Sequence, residues 1–176
     1  MPTPTYVAIS KNVLTSNQSS ITLSGIPSTY TDLLLTVSAR SSNTSALYTG
    51  LLIQINSLTS GNTYTELFGY TTGVLSTANQ FGATKMFAGF YSSDLTTSNT
   101  FGSGEIYMAN YAGSTNKTFS VTSVSERNAS SADSSYQTIS AGLLSNTAAI
   151  SSLTINFSGY DIMSGSRFDL YGIKNS

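Results

Sequence analysis

Eight carboxylates offer this chain its most direct route to acid–base chemistry: Asp32, Glu66, Asp94, Glu105, Glu126, Asp133, Asp161 and Asp169. A glycosidase needs two of them facing each other across a bond, yet no short spacing pairs any two as catalysts or as metal ligands. The chain has no His and no Cys, which removes the usual general base, the commonest metal ligand and the thiolate nucleophile. Lys is then the only base left for a Ser nucleophile, and the GxSxG turn does not occur. Asp94 and Asp133 sit in Ser- and Asn-rich runs outside any EF-hand pattern. The stretch GSTNK at Gly113–Lys117 falls short of a phosphate loop. The residues point away from an enzyme, and they call for no metal and no cofactor.

Aromatic residues are the more informative class, with eleven Tyr and eight Phe. A Tyr ring with its polar tip suits a subunit contact or a sugar-stacking platform. Several of Tyr64, Tyr70, Tyr91, Tyr107 and Tyr111 alternate with apolar neighbours, which makes the five candidates for exposed aromatic contacts. Three roles stay open for them: capping a core, touching another subunit, or touching a glycan.

The elements that position these residues read as short strands. Candidates are Tyr6–Ser10, Ile21–Ser24, Asp32–Arg40, Leu51–Asn56, Tyr64–Tyr70, Met86–Tyr91, Glu105–Tyr111, Thr118–Ser125, Tyr136–Leu144, Ser151–Phe157 and the segment holding Phe168 and Leu170. In Asp32–Arg40, Leu33, Leu35, Val37 and Ala39 share one face, while Leu34, Thr36, Ser38 and Arg40 share the other. Tyr136–Leu144 groups Ile139, Ala141 and Leu143. No stretch sustains a helical stripe, and the surface helix formers Lys and Glu are scarce. About ten short strands joined by long Ser/Asn-rich loops (Ser41–Ser45, Ser92–Thr100, Asn128–Ser135) predict an all-β, two-sheet antiparallel sandwich of jelly-roll type. One domain spanning 1–176 is expected, with a short extended segment over about residues 1–5 at its N-terminus. Pro27, Tyr30 and Asp32 are expected to form a corner between two strands, with the Tyr30 hydroxyl tied to nearby backbone.

Charge bounds the partners. Charged residues are 9% of the chain and the net charge is −1, against about 25% charged in ordinary domains. Ser and Thr, roughly a third of the chain, carry the surface instead. Without a basic cluster there is no footprint for nucleic acid or an anionic membrane. A nearly neutral surface lacks self-repulsion and favours regular association. The N-terminus MPTPTYVAIS has no secretory pattern, so synthesis in a reducing cytoplasm is expected.

Four stretches carry a family resemblance. GIPSTYTDLLLTVSARS (Gly25–Ser41) resembles an IPxTYxDLxLxxSxR pattern. NTAAISSLTINFSGYDIMSGSRFDLYGIK (Asn146–Lys174) resembles its C-terminal partner, an alternating apolar strand leading into GSxxxLYGI. INSLTSGNTYTELFGY and MANYAGSTNKT resemble further elements of the same set. Together they are similar to virion structural proteins of tailed bacteriophages, especially those of cyanobacterial and other aquatic hosts. The resemblance implies a β-sandwich on the outer surface of a virion, assembled in the host cytoplasm. It implies a capsid decoration (cement) protein that binds the major capsid protein or another virion protein, as a homotrimer. A receptor-binding or fibre-tip module that grips host surface polysaccharide is the alternative. In GSRFDLYGIK, alternation turns Phe168 and Leu170 to the core and Arg167, Asp169 and Tyr171 outward, where a subunit interface is expected.

Overall fold

The computed structural model describes residues 5–70, 75–129 and 135–174. Most of the expected N-terminal extended segment, residues 1–4, lies outside them, as does Asp133. Among the described residues there is no helix, and twelve strands run β1 (Tyr6–Val13), β2 (Ile21–Ser24), β3 (Asp32–Ser41), β4 (Tyr48–Ile55), β5 (Asn62–Tyr70), β6 (Leu75–Ala83), β7 (Met86–Ser93), β8 (Gly102–Ala109), β9 (Lys117–Glu126), β10 (Ser135–Leu144), β11 (Ser152–Phe157) and β12 (Arg167–Ile173). The strand absent from the sequence reading is β6, whose LSTANQFGA has no apolar alternation to announce it.

Eight strands form one antiparallel sheet in the order β1–β12–β3–β8–β9–β10–β5–β6. Four form a second in the order β2–β11–β4–β7. The sheets meet where Arg40 and Ser41 pair in parallel with Ser92 and Ser93. The chain alternates between the sheets from β2 to β5 and crosses again at β6–β7–β8 and at β10–β11–β12, while β5–β6 and β8–β9–β10 stay within the large sheet and β8, β9 and β10 fill the place between β3 and β5.

The main core lies where alternation predicts it. Leu33, Leu35, Val37, Ile106, Met108, Phe168 and Leu170 from the large sheet pack with Leu51, Ile53, Ile55, Leu153, Ile155 and Phe157 from the small one. Full burial of each such side chain contributes about 1.5–3 kcal/mol.

Strand β7 departs from a half-buried strand, because almost all of it is buried. It lies against the inner side of the large sheet, which requires missing side chains. A Cβ on Gly102 would fall 2.9 Å from Ser92 N and Tyr91 Cα, and Gly89 adopts φ +97° where β7 meets Ser123. Met86, Ala88 and Tyr91 join the main core. Phe87 and Phe90 instead meet Tyr64 and Phe68 of β5 at 6.0 and 5.4 Å between ring centroids, and Tyr48 stands 4.1 Å from Tyr136. A second, aromatic layer thus lies between β4–β7 and β5–β10.

An alternating apolar face ordinarily turns inward, but β10 does the reverse. Thr138 and Ser140 are buried, whereas Ile139, Ala141 and Leu143 are exposed. In the register Ser140 sits between Val121 and Glu66, and Thr138 sits between Ser123 and Phe68. Close approach of β7 leaves room there only for small side chains, so size decides which face is inside.

Candidate binding face

The motif residues turn out to be structural pins. Asp32, buried at the start of β3, accepts bonds from the Tyr107 hydroxyl at 2.6 Å and from Asn110 N–H at 2.7 Å. The Tyr111 hydroxyl donates to the Pro27 carbonyl, and Tyr30 N–H donates to Tyr111 Oη at 3.4 Å. The expected corner therefore exists, but Tyr111 ties the backbone rather than Tyr30. The ring of Tyr30 instead covers Gly172, with Lys174 Nζ 5.7 Å from its centroid. Lys117, fully buried, donates to the carbonyls of Gly113, Thr115 and Thr147. Ser114–Lys117 has SxxK spacing, yet an ammonium committed to three carbonyls is no base for a serine.

Arg40 corrects the reading of β3. It was placed on the open polar face, but the end of β3 enters the junction of the two sheets and Arg40 is buried. Its guanidinium pairs with Asp94 at 2.9 Å and donates to the carbonyls of Thr96 and Thr97 at 3.2 and 2.7 Å. Asp94 is thereby an ion-pair partner. The loop run Ser92–Thr100 and the run Ser41–Ser45 are not simply exposed either, since Ser41, Asn43, Ser92, Ser93 and Thr96 are buried. Ser41 and Thr49 share a 2.7 Å bond, and Asn43 Nδ2 donates to Thr49 at 3.2 Å.

The expected outward tyrosines divide. Tyr91 and Tyr111 are fully buried, which overturns their reading as exposed contacts. Burial pushes both phenols above the ordinary tyrosine pKa. Tyr64 is half-buried in the aromatic layer, and the Tyr70 side chain lies outside the described set. Tyr107 alone faces outward clearly, with 36% exposure. Its hydrogen bond to Asp32, then desolvation, push its pKa up to about 12, so the hydroxyl stays protonated and fixes the ring.

In the last strand, Phe168 and Leu170 are in the core as expected. The outward row is altered. Arg167 reaches Asp169 Oδ2 at 2.7 Å, but Asp169 is buried beneath it and Tyr171 is half-buried. Strand β12 also lies inside the sheet, between β1 and β3. Of the three expected interface residues, only Arg167 is available to a partner.

What remains open is the solvent face of the large sheet, and it has two parts. Over β9, β10 and β5 it is aliphatic and hydroxylic: Val124, Ile139, Leu67 and Leu143 are all exposed, with Ile139 at 60%. Phe81 on the neighbouring β6 is exposed by 81%. From Leu67 to Thr84 the sequence holds no charge. Over β3, β8 and β9 the face is grooved. A hollow of about 280 Å³ is lined by Tyr6, Leu34, Glu105, Tyr107, Ser120 and Thr122. Beside it lies one of about 570 Å³ that shares Glu105 and Thr122 in its lining and reaches Thr36, Ser103, Val124, Gln137 and Ile139.

The sequence matches no family model and no curated protein. Among the described residues no three acidic, His or Cys side chains converge as metal ligands. Tyr6, Thr36, Ser103 and Glu105 were missed as binding residues because their role depends on strand order. One signal was present: the polar face of β3 contained Thr36 and Ser38.

Proposed function

We propose that this chain is a structural component of a phage virion, a decoration protein that seats on the outer shell as a homotrimer and stabilises it. The observation that carries association is the uncharged aliphatic face formed by Val124, Ile139, Leu67 and Leu143 beside exposed Phe81. An isolated apolar side chain at a surface is ordinary, but neighbours on adjacent strands form a patch that a partner can cover. Covering the 60% of Ile139 that is exposed contributes roughly 1–2 kcal/mol per copy before the cost of association. The virion setting is supported by the resemblance of the four sequence stretches. A protein that binds only the assembled shell, through the major capsid protein, shifts the equilibrium toward that shell.

Mass and location test this reading. Light scattering at high micromolar concentration is expected to give the trimer mass, and Ile139→Asp is expected to give the monomer. Particles are expected to carry hundreds of copies over the head, on the order of the shell's own symmetry. A handful of copies at the tail would sink decoration and leave the second reading, a fibre-tip module that grips host polysaccharide. That reading is favoured by the groove beside Tyr6 and Tyr107.

A further inference from the structure

We infer that the groove between Tyr6 and Tyr107 is a binding site for an extended, uncharged oligosaccharide. The inference deepens the second reading above, and it holds or fails independently of whether the chain decorates a shell.

Three observations point to this ligand. First, two tyrosine rings stand at one end. Tyr6 is 56% exposed on β1, and Tyr107 is held by the 2.6 Å bond from its hydroxyl to Asp32. A ring fixed by a buried carboxylate loses little freedom on binding, which favours stacking of a sugar's C–H face. Second, the polar side chains along the groove are uncommitted. Thr36, Ser103, Glu105, Ser120, Thr122 and Gln137 make no side-chain hydrogen bond within the described residues, and their donors and acceptors line one channel. Asn56, by contrast, is spent on the chain itself, accepting from Ser151 N at 2.8 Å and donating to Ala149 O at 2.8 Å. Third, the charge selects the ligand. Glu105 is the one ionisable carboxylate lining the groove, and no Lys or Arg lines it. An anionic chain is repelled there, whereas sugar hydroxyls donate to the carboxylate in charge-assisted bonds.

The register sets the two hollows side by side. Glu105 lies between Thr36 on β3 and Thr122 on β9, and Tyr107 lies between Leu34 and Ser120. Adjacent rows of polar side chains thus run beside the tyrosine platform, with Leu34 supplying apolar floor. Val124 and Ile139 belong both to the far end of the groove and to the aliphatic face, so a subunit contact there covers that end and leaves the tyrosine end open.

The test is a titration of the full, isotope-labelled chain followed by amide NMR shifts. The probes are uncharged hexasaccharides of glucose, galactose, mannose and N-acetylglucosamine, with a hexauronate and an uncharged Ser/Thr-rich peptide as comparisons. At least one neutral sugar is expected to shift the amides of Glu105, Tyr107, Ser120 and Thr122, with a Kd near the ~1 mM range of weak single-site binding. Tyr6→Ala and Glu105→Gln, both at exposed positions, are expected to weaken it at least about fivefold, within the worth of one stacking or charged contact, at unchanged Tm. No shift with any neutral sugar at about 10 mM, well above that range, overturns the site. So does preference for the hexauronate or the peptide, or shifts confined to the separate hollow at Ser19, Ser42, Tyr160 and Asp161. A trimer that binds no sugar defeats this inference alone. A monomer that binds sugar in the groove defeats decoration alone.

Discussion

The two halves of the large sheet's inner face are built on different rules. Under β12, β3 and β8 the inward side chains are Phe168, Leu170, Leu33, Leu35, Val37, Ile106 and Met108, all in the main core. Under β9, β10 and β5 they include Ser123, Thr138, Ser140 and Glu66, and each of these has a buried oxygen with no hydrogen-bond partner. The first half is held by aliphatic volume. The second is held by the fit of β7, which comes so close at Ser123 on β9 and at Gly142 on β10 that small side chains are required there whatever their polarity. Unpaired hydroxyls cost stability there, at about 1–3 kcal/mol for each fully desolvated group. The aliphatic residues displaced from that interior, Ile139 and Leu143, appear on the outside, where they form the proposed assembly face.

Substitutions can break this contrast. Leu35→Ala in the aliphatic half should cost about 2–5 kcal/mol, read as a lower urea midpoint, because it leaves a cavity. Lys117→Met, at the end of β9, should cost about 3 kcal/mol by removing charged donors from three carbonyls. Ser140→Leu should destabilise by about 1–3 kcal/mol through overpacking, even though it adds apolar volume to an interior position. If it stabilised the fold instead, the close approach of β7 would not be what selects Ser140.

Glu66 sharpens the contrast through pH. Desolvation raises its carboxyl pKa above the ordinary value of 4.5. Between 4.5 and that raised value the folded chain binds more protons than the unfolded one, so this group's contribution to stability rises as pH falls through the folded pKa. At neutral pH the buried charge is a cost. Glu66→Gln should therefore raise Tm at pH 7, by an amount that solvent screening of this half-buried group keeps small. The gain should shrink as pH falls toward 4.5. A gain that grew on acidification would contradict the desolvated setting. The smallest effect is expected next to Ser140: Ile139→Thr should change monomer stability by less than about 0.5 kcal/mol, while weakening self-association.

Alternation made most of the fold legible. Leu33, Leu35, Val37 and Ala39 in β3, Phe119 and Val121 in β9, and Leu153, Ile155 and Phe157 in β11 all occupy the core face that a two-residue period assigns them. Where the interior demands smallness, the same reading picks a face but not its direction, as β10 shows. The candidate groove was less legible. Tyr107 was singled out, but Tyr6, Thr36, Ser103 and Glu105 come together from three strands separated by up to about a hundred positions, and pairing order is set by tertiary contacts. Tyr91 and Tyr111 were misread because alternation treats a strand as having one open face. Strand β7 has little open surface, and Tyr111 turns into the corner beneath Pro27.

The sequence by itself determined that this chain is built of strands. Its scarcity of Lys and Glu, its Ser and Thr, and its period-two apolar runs favour strands over helices, and the absence of Cys leaves no thiol chemistry to organise. Only the tertiary structure decided which faces look outward. Burial depends on what packs opposite a strand. The edge of β7, pressed against Gly102 and Ser123, turned serines inward and isoleucine outward, while the order β3–β8–β9 gathered scattered hydroxyls, one carboxylate and two tyrosines into a single groove.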